Sequence, residues 1–548
     1  AALNRNRSAR RVTAWAVALL GIVGTARAAD PAPVPTPAEL EAAHAVIGHI
    51  AVDAGDVFDN TIQGENGWLY RAANTIHIST RPSNVRAQLL FKTGDPYVQR
   101  LVQETERILR ANDYLYDATI EAVAWDGHTV DLVVHTRDNW TLNPGLNYSR
   151  KGGENKASLQ VVEKNLLGTG QQLEFDWGKN VDRDYLTFQY TNPHFFSPWT
   201  RFAVTYSDAN DGESKILRLE QPFYALDTRH AGGTYLYDSQ RNDSRYVLGH
   251  ETGQFAHREE FYEAWGGLSK GWHDGWVTRW TFGATVQRDR FAVVPGEPLG
   301  GPLPADHEFV YPWLGWDLVE DRYQERINQD QIARTEDVLV GWRAGARVGF
   351  AGESFGSTQD ALMLSAYVQD GRDLRPDESL FGTLTASGRL EGGTLRDGVL
   401  SAEARYYRRT SARFKFFASV SGTVTENLDP EQQLLLGGDN GLRGYPLRYQ
   451  AGTSMALLTL EERYYTDWYP FRLFHVAGAV FYDMGRTWGM DVTGATSAGL
   501  LKDVGIGLRL GSSRSAFGNV LHVDLAFPLD GDPSISNVQF VVETKGQF

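Results

Sequence analysis

Two segments near the C-terminus hold residues that could act on each other. Leu436 to Pro446 reads Leu-Gly-Gly-Asp-Asn-Gly-Leu-Arg-Gly-Tyr-Pro, a glycine-rich loop that carries Arg443 between an apolar residue and a glycine. Phe481 to Trp488 reads as a strand whose lone acid, Asp483, shares a face with Ala477, Ala479 and Phe481. A guanidinium on an irregular loop and a carboxylate on a strand can form a bidentate pair, which would pin the loop inside a barrel. Catalytic patterns are weaker. Gly352-Glu353-Ser354-Phe355-Gly356 has hydrolase spacing, but no helical pattern follows to make the strand-to-helix elbow that chemistry needs. Asp208 to Gly212 reads as a hairpin turn rather than a calcium loop, and the 13 histidines show no ligand spacing. The expectation is a protein that is not an enzyme, with no cofactor and no metal.

The elements that must position Arg443 and Asp483 are strands. From about Thr141 onward the sequence alternates with period two. Leu173, Phe175 and Trp177 face one way and Glu174 and Asp176 the other; Val504, Ile506, Leu508 and Leu510 oppose Arg509; Leu521, Val523, Leu525 and Phe527 oppose His522 and Asp524. Acids on the inner face of an apolar sandwich would be costly, so the polar face implies a wet lumen. Mean hydropathy is low, at −0.37. The 15 Trp, 24 Tyr and 26 Phe nevertheless suit a barrel whose alternate residues meet lipid and whose rims carry aromatic girdles. Sixteen strands would give roughly 25 residues for each strand and its connection, and 14 or 18 fit the length as well. Gly296–Asp306, Asp370–Glu378 and Asn427–Gln450 read as its longer loops.

Ahead of the barrel, residues 1–28 have the layout of a secretory signal. Arg5, Arg7, Arg10 and Arg11 precede an apolar run and Ala26-Arg27-Ala28. Residues 29–43 form a Pro-rich leader. Five of the 53 basic residues and none of the 68 acids lie in the signal, so the remainder carries a net charge of about −20, which argues against nucleic acid as a partner. The absence of cysteine fits an oxidising compartment. Residues 44–138 read as an α+β domain in the order strand, helix, helix, strand, strand. Asp95 and Pro96 are read as a helix start, and Asp126-Gly127 as a hairpin turn.

Together these motifs resemble the BamA/TamA family of outer-membrane assembly and translocation barrels. Leu90 to Tyr97, followed by Leu109 to Leu115, resembles the second helix of a polypeptide-transport-associated (POTRA) domain, and Val162 to Gly170 resembles the family's second barrel turn. The resemblance implies an all-β transmembrane barrel of about 16 antiparallel strands (139–548) behind one POTRA domain (44–138). It implies a sixth extracellular loop folded into the lumen, with Arg443, Gly444 and Tyr445 at its tip. Arg443 would meet Asp483 and, as a second acceptor, Glu461. Gly444 would allow a sharp turn and Gly485 a close approach. It also implies a lateral seam between first and last strands, marked by Leu142, Leu146, Tyr148, Val538, Phe540 and the C-terminal Phe548. The implied function is insertion or translocation of polypeptides by strand pairing at that seam, with client capture by the POTRA sheet edge. The partners would be unfolded outer-membrane or secreted polypeptides, outer-membrane lipid, and a periplasmic or inner-membrane accessory protein. The implied location is the bacterial outer membrane, with the N-terminal domain in the periplasm. Competing readings are a two-partner-type secretion pore exporting one cognate passenger through its lumen, and a passive channel.

Overall fold

The computed structural model describes residues 34–516 and 520–545. The expected signal segment and Phe548 lie outside the described residues. The first unit comprises α1 (Pro37–Ala42), β1 (Val46–Gly55), α2 (Trp68–Ile76), α3 (Pro82–Arg86), α4 (Gln99–Arg110), β2 (Leu115–Trp125) and β3 (Thr129–Asp138). Its sheet runs β1-β3-β2, with β1 parallel and β2 antiparallel to the central β3. The β2–β3 hairpin closes on the Asp126 carboxylate, which accepts the His128 and Thr129 amides, and on Gly127 at φ 99°. Val102 and Leu109 of α4 pack into the apolar clusters that hold Leu132 and Val134 of β3. Helix α4 begins at Gln99 rather than Pro96. The preceding segment is tied to the β1 edge instead, with Pro96 bridged to Val46 and the Tyr97 amide donating to Ala45.

The remaining strands close into a barrel of twenty, not sixteen. The first half is β4 (Leu142–Lys151), β5 (Glu154–Leu166), β6 (Gln171–Lys179), β7 (Asp184–Asn192), β8 (Arg201–Ala209), β9 (Gly212–Gln221), β10 (His230–Val247), β11 (His250–His273), β12 (Trp276–Val293) and β13 (His307–Glu320). Between β13 and its barrel neighbour lies a separate hairpin, β14 (Tyr323–Ile327) with β15 (Thr335–Leu339). The barrel resumes with β16 (Trp342–Ala351), β17 (Ala361–Arg375), β18 (Glu378–Glu391), β19 (Thr394–Arg409) and β20 (Phe414–Glu426). A short ribbon, β21 (Leu434–Leu436) with β22 (Gln450–Gly452), interrupts it again. It ends with β23 (Ser454–Tyr465), β24 (Phe474–Trp488), β25 (Leu501–Ser512), β26 (Val520–Pro528) and β27 (Gln539–Lys545).

The expected number was low because it allowed every strand a long connection. Many hairpins here turn in two residues, as at Gly152-Gly153, Asn210-Asp211, Asp274-Gly275 and Gly392-Gly393. Asp370–Glu378, expected as a loop, is mostly strand: β17 runs on to Arg375 and turns at Pro376-Asp377. The Gly352–Gly356 pattern forms a single 3₁₀ turn that leads into strand β17. Outward positions form an exposed apolar belt that includes Phe175, Trp177, Phe282, Leu314, Leu384, Val420, Val480 and Ile506. A belt of this extent needs lipid. No described helix is long and apolar enough to cross a membrane.

The first unit sits under one end of the barrel. Asn165 Nδ2 donates to Thr80 (2.8 Å), the Leu226 amide donates to Glu104 (2.6 Å), and Trp140 and Arg514 are joined through their backbones. Arg110 makes the most extensive contact. It donates to both oxygens of Asp337 (2.8 and 2.6 Å) and to Glu325 (2.8 Å), and so grips both strands of the β14–β15 hairpin. Substituting Arg110→Met removes those charge-assisted bonds while keeping the stem. The expected loss is about 2 kcal/mol of docking energy. It would be read as faster limited proteolysis between residues 321 and 341, with the barrel's heat-resistant migration on gels unchanged.

Candidate functional site

The barrel interior is filled from both ends. From the far end, the connection between β20 and β23 descends as the β21–β22 ribbon and reverses at Gly437 to Pro446. The Gly438 amide donates to Pro446 (2.9 Å) and Asn440 Oδ1 accepts the Gly437 amide (2.7 Å). Leu436, Leu442, Tyr445 and Tyr449 of this loop pack with Leu501 and Ile535. In chain order this is the eighth connection at the far end, not the sixth, because four more strands precede it.

At the tip, Arg443 donates to both oxygens of Asp483 (2.7 and 3.0 Å), to Glu461 (3.1 Å) and to Asp524 (3.3 Å). Its guanidinium carbon lies 3.4 Å from the centroid of the Phe481 ring. The strands present these groups because Ala477, Ala479, Phe481 and Asp483 alternate inward on β24. The network continues sideways. Glu461 also accepts from Arg463 (2.9 Å) and Arg509 (2.9 Å), and Arg509 pairs with Asp524. All six charged groups are buried. Each guanidinium meets a carboxylate, so desolvation of the ions is offset by paired geometry rather than by a wet lumen.

The neighbouring residues hold the backbone. The Gly444 amide donates to Asp503 (3.0 Å). The Tyr445 amide donates to the Leu442 carbonyl (3.0 Å), closing a turn with Arg443 and Gly444 at its centre, and a Cβ on Gly444 would lie 2.6 Å from the Cβ of Asp503, so this glycine also serves close approach. Gly485 likewise leaves room for Leu436 and Leu442. The Tyr445 hydroxyl lies 2.7 Å from the Lys502 carbonyl and 3.0 Å from that of Asp530, joining β25 to the β26–β27 connection. On the other side, Gly152 in the β4–β5 turn packs directly under Pro446 and Leu447. The tip therefore touches the structure on both flanks of the junction between β27 and β4.

That junction is narrow. All seven residues of β27 pair with β26, and all ten of β4 with β5. Between β27 and β4 one registered pair is present among the described residues, Val542 opposite Arg150. A Lys151–Glu543 ion pair (2.5 Å) lies beside it. Leu142 and Tyr148 on β4 are exposed, as are Phe540 on β27 and Val538 just before it. Leu146 pairs through its backbone with Leu159 of β5. Among the described residues, none of these faces another across the junction.

Sequence reasoning missed the second plug. The β14–β15 hairpin enters from the end where the first unit sits, and its tip reaches the same network. Arg463 donates to the Gln329 carbonyl (3.3 Å), Lys415 to that of Asn328 (2.8 Å) and Tyr407 to Asp330 (2.7 Å). Two strands of five residues are too short to span a bilayer, which was the available signal. Arg509 and Asp524 were legible only as alternating polar positions, and Asp503 was missed.

A closed antiparallel barrel with an apolar exterior and a charged interior is a transmembrane β-barrel. Residues 340–545 match the model of the Omp85 superfamily domain. No curated protein matches it. Among solved structures it is similar to BamA from Haemophilus ducreyi lacking POTRA domains 1–3, at 13% identity and a TM-score of 0.38, over 91% of this chain and 84% of that one. It is also similar to CdiB from Escherichia coli, at 12% identity and a TM-score of 0.45, over 92% and 76%. CdiB from Acinetobacter baumannii gives 11% and 0.44, over 91% and 73%.

Replacing Arg443 with Ala leaves Asp483 and its neighbours without their cation. The expected cost is roughly 3–5 kcal/mol of loop docking. It would be measured as a lowered unfolding temperature in detergent together with new protease cleavage between residues 437 and 449. Gly444→Ala should give the same cleavage through steric conflict alone, with the charges intact.

Proposed function

We propose that this protein inserts or translocates polypeptides across the outer membrane by opening the barrel between β27 and β4 and pairing client strands with the freed edges. The observation that carries this reading is the single registered pair at the junction. A strand edge inside lipid must be hydrogen-bonded, so a junction this short costs little to open and offers two templates once open. Arg443, Gly444, Tyr445, Asp483, Glu461 and Gly485 act as a lock, since the loop tip they hold bears on both flanks of the junction. The first unit is a single POTRA domain in the periplasm, and the outer edge of β2, or that of β1 beyond the Pro96 bridge, is where a client segment would add as a further strand. The grip of Arg110 on the β14–β15 hairpin, and of that hairpin on Arg463, gives client capture a physical route to the lock. The barrel performs no catalytic step.

The chain has no cysteine, so a disulfide can be placed across the junction without interference. Arg150→Cys with Val542→Cys puts the thiols at directly opposed positions, where antiparallel neighbours lie at about disulfide distance. The protein would be reconstituted in vesicles and assayed for acceleration of the insertion of a urea-unfolded outer-membrane barrel. Loss of acceleration when oxidised, with recovery on reduction, is the expected result. Full acceleration with the junction closed would overturn lateral opening and leave transport of a passenger through the lumen as the working route.

A further inference from the structure

A cavity of about 460 Å³ lies in the lumen where β10–β13 and β16–β19 meet the descending limb of the loop. Glu259, Asp289 and His307 form one row across β11, β12 and β13, since Glu259 is paired with Asp289 and Asp289 with His307. His257 points inward from the same face of β11, two residues from Glu259. Asp429 and Glu431 descend from the loop beside His307, and the donor atoms within each group, His257/Glu259/Asp289 and His307/Asp429/Glu431, lie within 4.8 Å of one another. His257 and His307 each direct Nε2 at a different oxygen of Asp289, both at 3.0 Å. The Nδ1 of His257 faces Asp243 (2.6 Å), and that of His307 faces the Ala305 carbonyl (3.2 Å). A neutral imidazole has one N–H, so a ring set between two acceptors calls for a further positive charge. The cavity lining deepens that demand, with six carboxylates against three arginines.

We infer that this cluster binds a divalent transition metal ion of the zinc class, with His257, Asp289 and His307 as its wall ligands and Glu259 and Glu431 completing the set. Two imidazoles with carboxylates are a borderline donor set that suits such an ion better than magnesium or calcium. The separations also fit, because ligands bonded at about 2.0–2.1 Å around a tetrahedral zinc stand about 3.3 Å apart. A bound ion would join the loop limb to the wall formed by β11–β13. That attachment lies far along the loop from Arg443, so the loop would be tethered at two independent points. The linear sequence hides the site because its ligands come from three strands and a loop.

The test uses the full chain in detergent, stripped with chelator and titrated with Zn²⁺ calorimetrically and with Co²⁺ by visible absorption. The expected result is one equivalent bound, with the intense visible bands of a four- or five-coordinate cobalt site. His257→Asn and His307→Asn should each weaken binding at least about tenfold, and Glu431→Gln should weaken it while leaving the wall residues in place. Heat-resistant migration on gels reports that each variant remains a folded barrel. No stoichiometric binding, binding unchanged in the double histidine variant, or binding of Mg²⁺ or Ca²⁺ in preference to Zn²⁺ would each overturn the proposal.

A second inference rests on a different surface. Helix α2 leaves Trp68, Leu69 and Ile76 exposed at 72%, 60% and 70%, grouped on one face with Ala72. Its other side is tied to the β23–β24 turn, through Tyr70 Oη to the Phe471 carbonyl (3.1 Å). That turn itself exposes Trp468 and Phe471 at the barrel's rim. The exposed apolar face of α2 and the exposed aromatics Trp468 and Phe471 thus sit on two elements in direct contact, which also carry Arg71 and Arg472. We propose that α2 lies in the near leaflet of the bilayer and seats the first unit against the membrane. An environment-sensitive fluorophore on Ile76→Cys should be quenched by spin-labelled lipid in phosphatidylethanolamine/phosphatidylglycerol vesicles at least twofold more than one on His128→Cys. Equal quenching at the two sites would overturn the proposal. So would a spectral shift in detergent that grows with protein concentration, which would assign the face to a second copy of the chain.

Discussion

The guanidinium of Arg443 is the interaction on which the interior depends. An ion at this depth is stable only while its partners hold, and those partners come from three separate strands: β23, β24 and β26. Arg463 and Arg509 extend the same condition to the hairpin tip and to β25. Removing any one member strands the others in a poorly hydrated space, so the network responds as a unit rather than contact by contact. A loop held this way is fixed with high precision yet has a defined route to release, because losing one cation weakens every carboxylate's reason to be there.

That fixed loop explains how a barrel can carry so short a junction. Backbone pairing normally closes a barrel and hides its edges from lipid. Between β27 and β4 the described pairing is a single position, so closure there draws on other contacts. The loop supplies them: Tyr445 binds the β25 and β26–β27 side, while Pro446 and Leu447 press on Gly152 of the β4–β5 side. The Lys151–Glu543 pair adds a contact that salt or a client could compete for. Closure and lock are therefore one mechanical problem with two parts.

Much of this could be read from the chain, and the limits have physical causes. Alternation along β6, β25 and β26 revealed a barrel because period two survives in any strand with one wet or charged face. Arg443 and Asp483 stood out because a cation in a glycine-rich loop and a lone acid in an apolar strand are each locally anomalous. Asp524 and Arg509 are not anomalous in that sense: a polar residue at an inward position is the rule, and its partner depends on register. Strand number failed because residues per hairpin vary with turn type, and tight Gly-Gly or Asn-Asp turns compress the count. The β14–β15 hairpin was missed because its two strands resemble the ends of their neighbours. Gly444 could be read as a turn residue, but its close approach to Asp503 could not, since a sequence shows that a side chain is absent and not what would occupy its place.

The four additional strands have a location that bears on the lumen. In a sixteen-stranded barrel with the lock in its sixth far-end loop, five strands follow that loop. Five follow it here as well, β23 to β27, so the addition falls entirely before it. The ten barrel strands from β16 to β27 hold the loop and one side of the junction, and the match to the Omp85 superfamily domain, residues 340–545, spans them. Adding strands widens a barrel roughly in proportion to their number, and a wider lumen must be filled or flooded. The wall from β10 to β13 meets this need with charge rather than apolar bulk. Arg241, Asp243, His257, Asp289 and His307 build inward from β10 to β13, the loop limb meets Arg245 of β10 through Pro430 and Arg389 of β18 through Asp429, and the hairpin fills the opposite end. The wide lumen thus holds, beside the Arg443 network, a second polar attachment for the same loop.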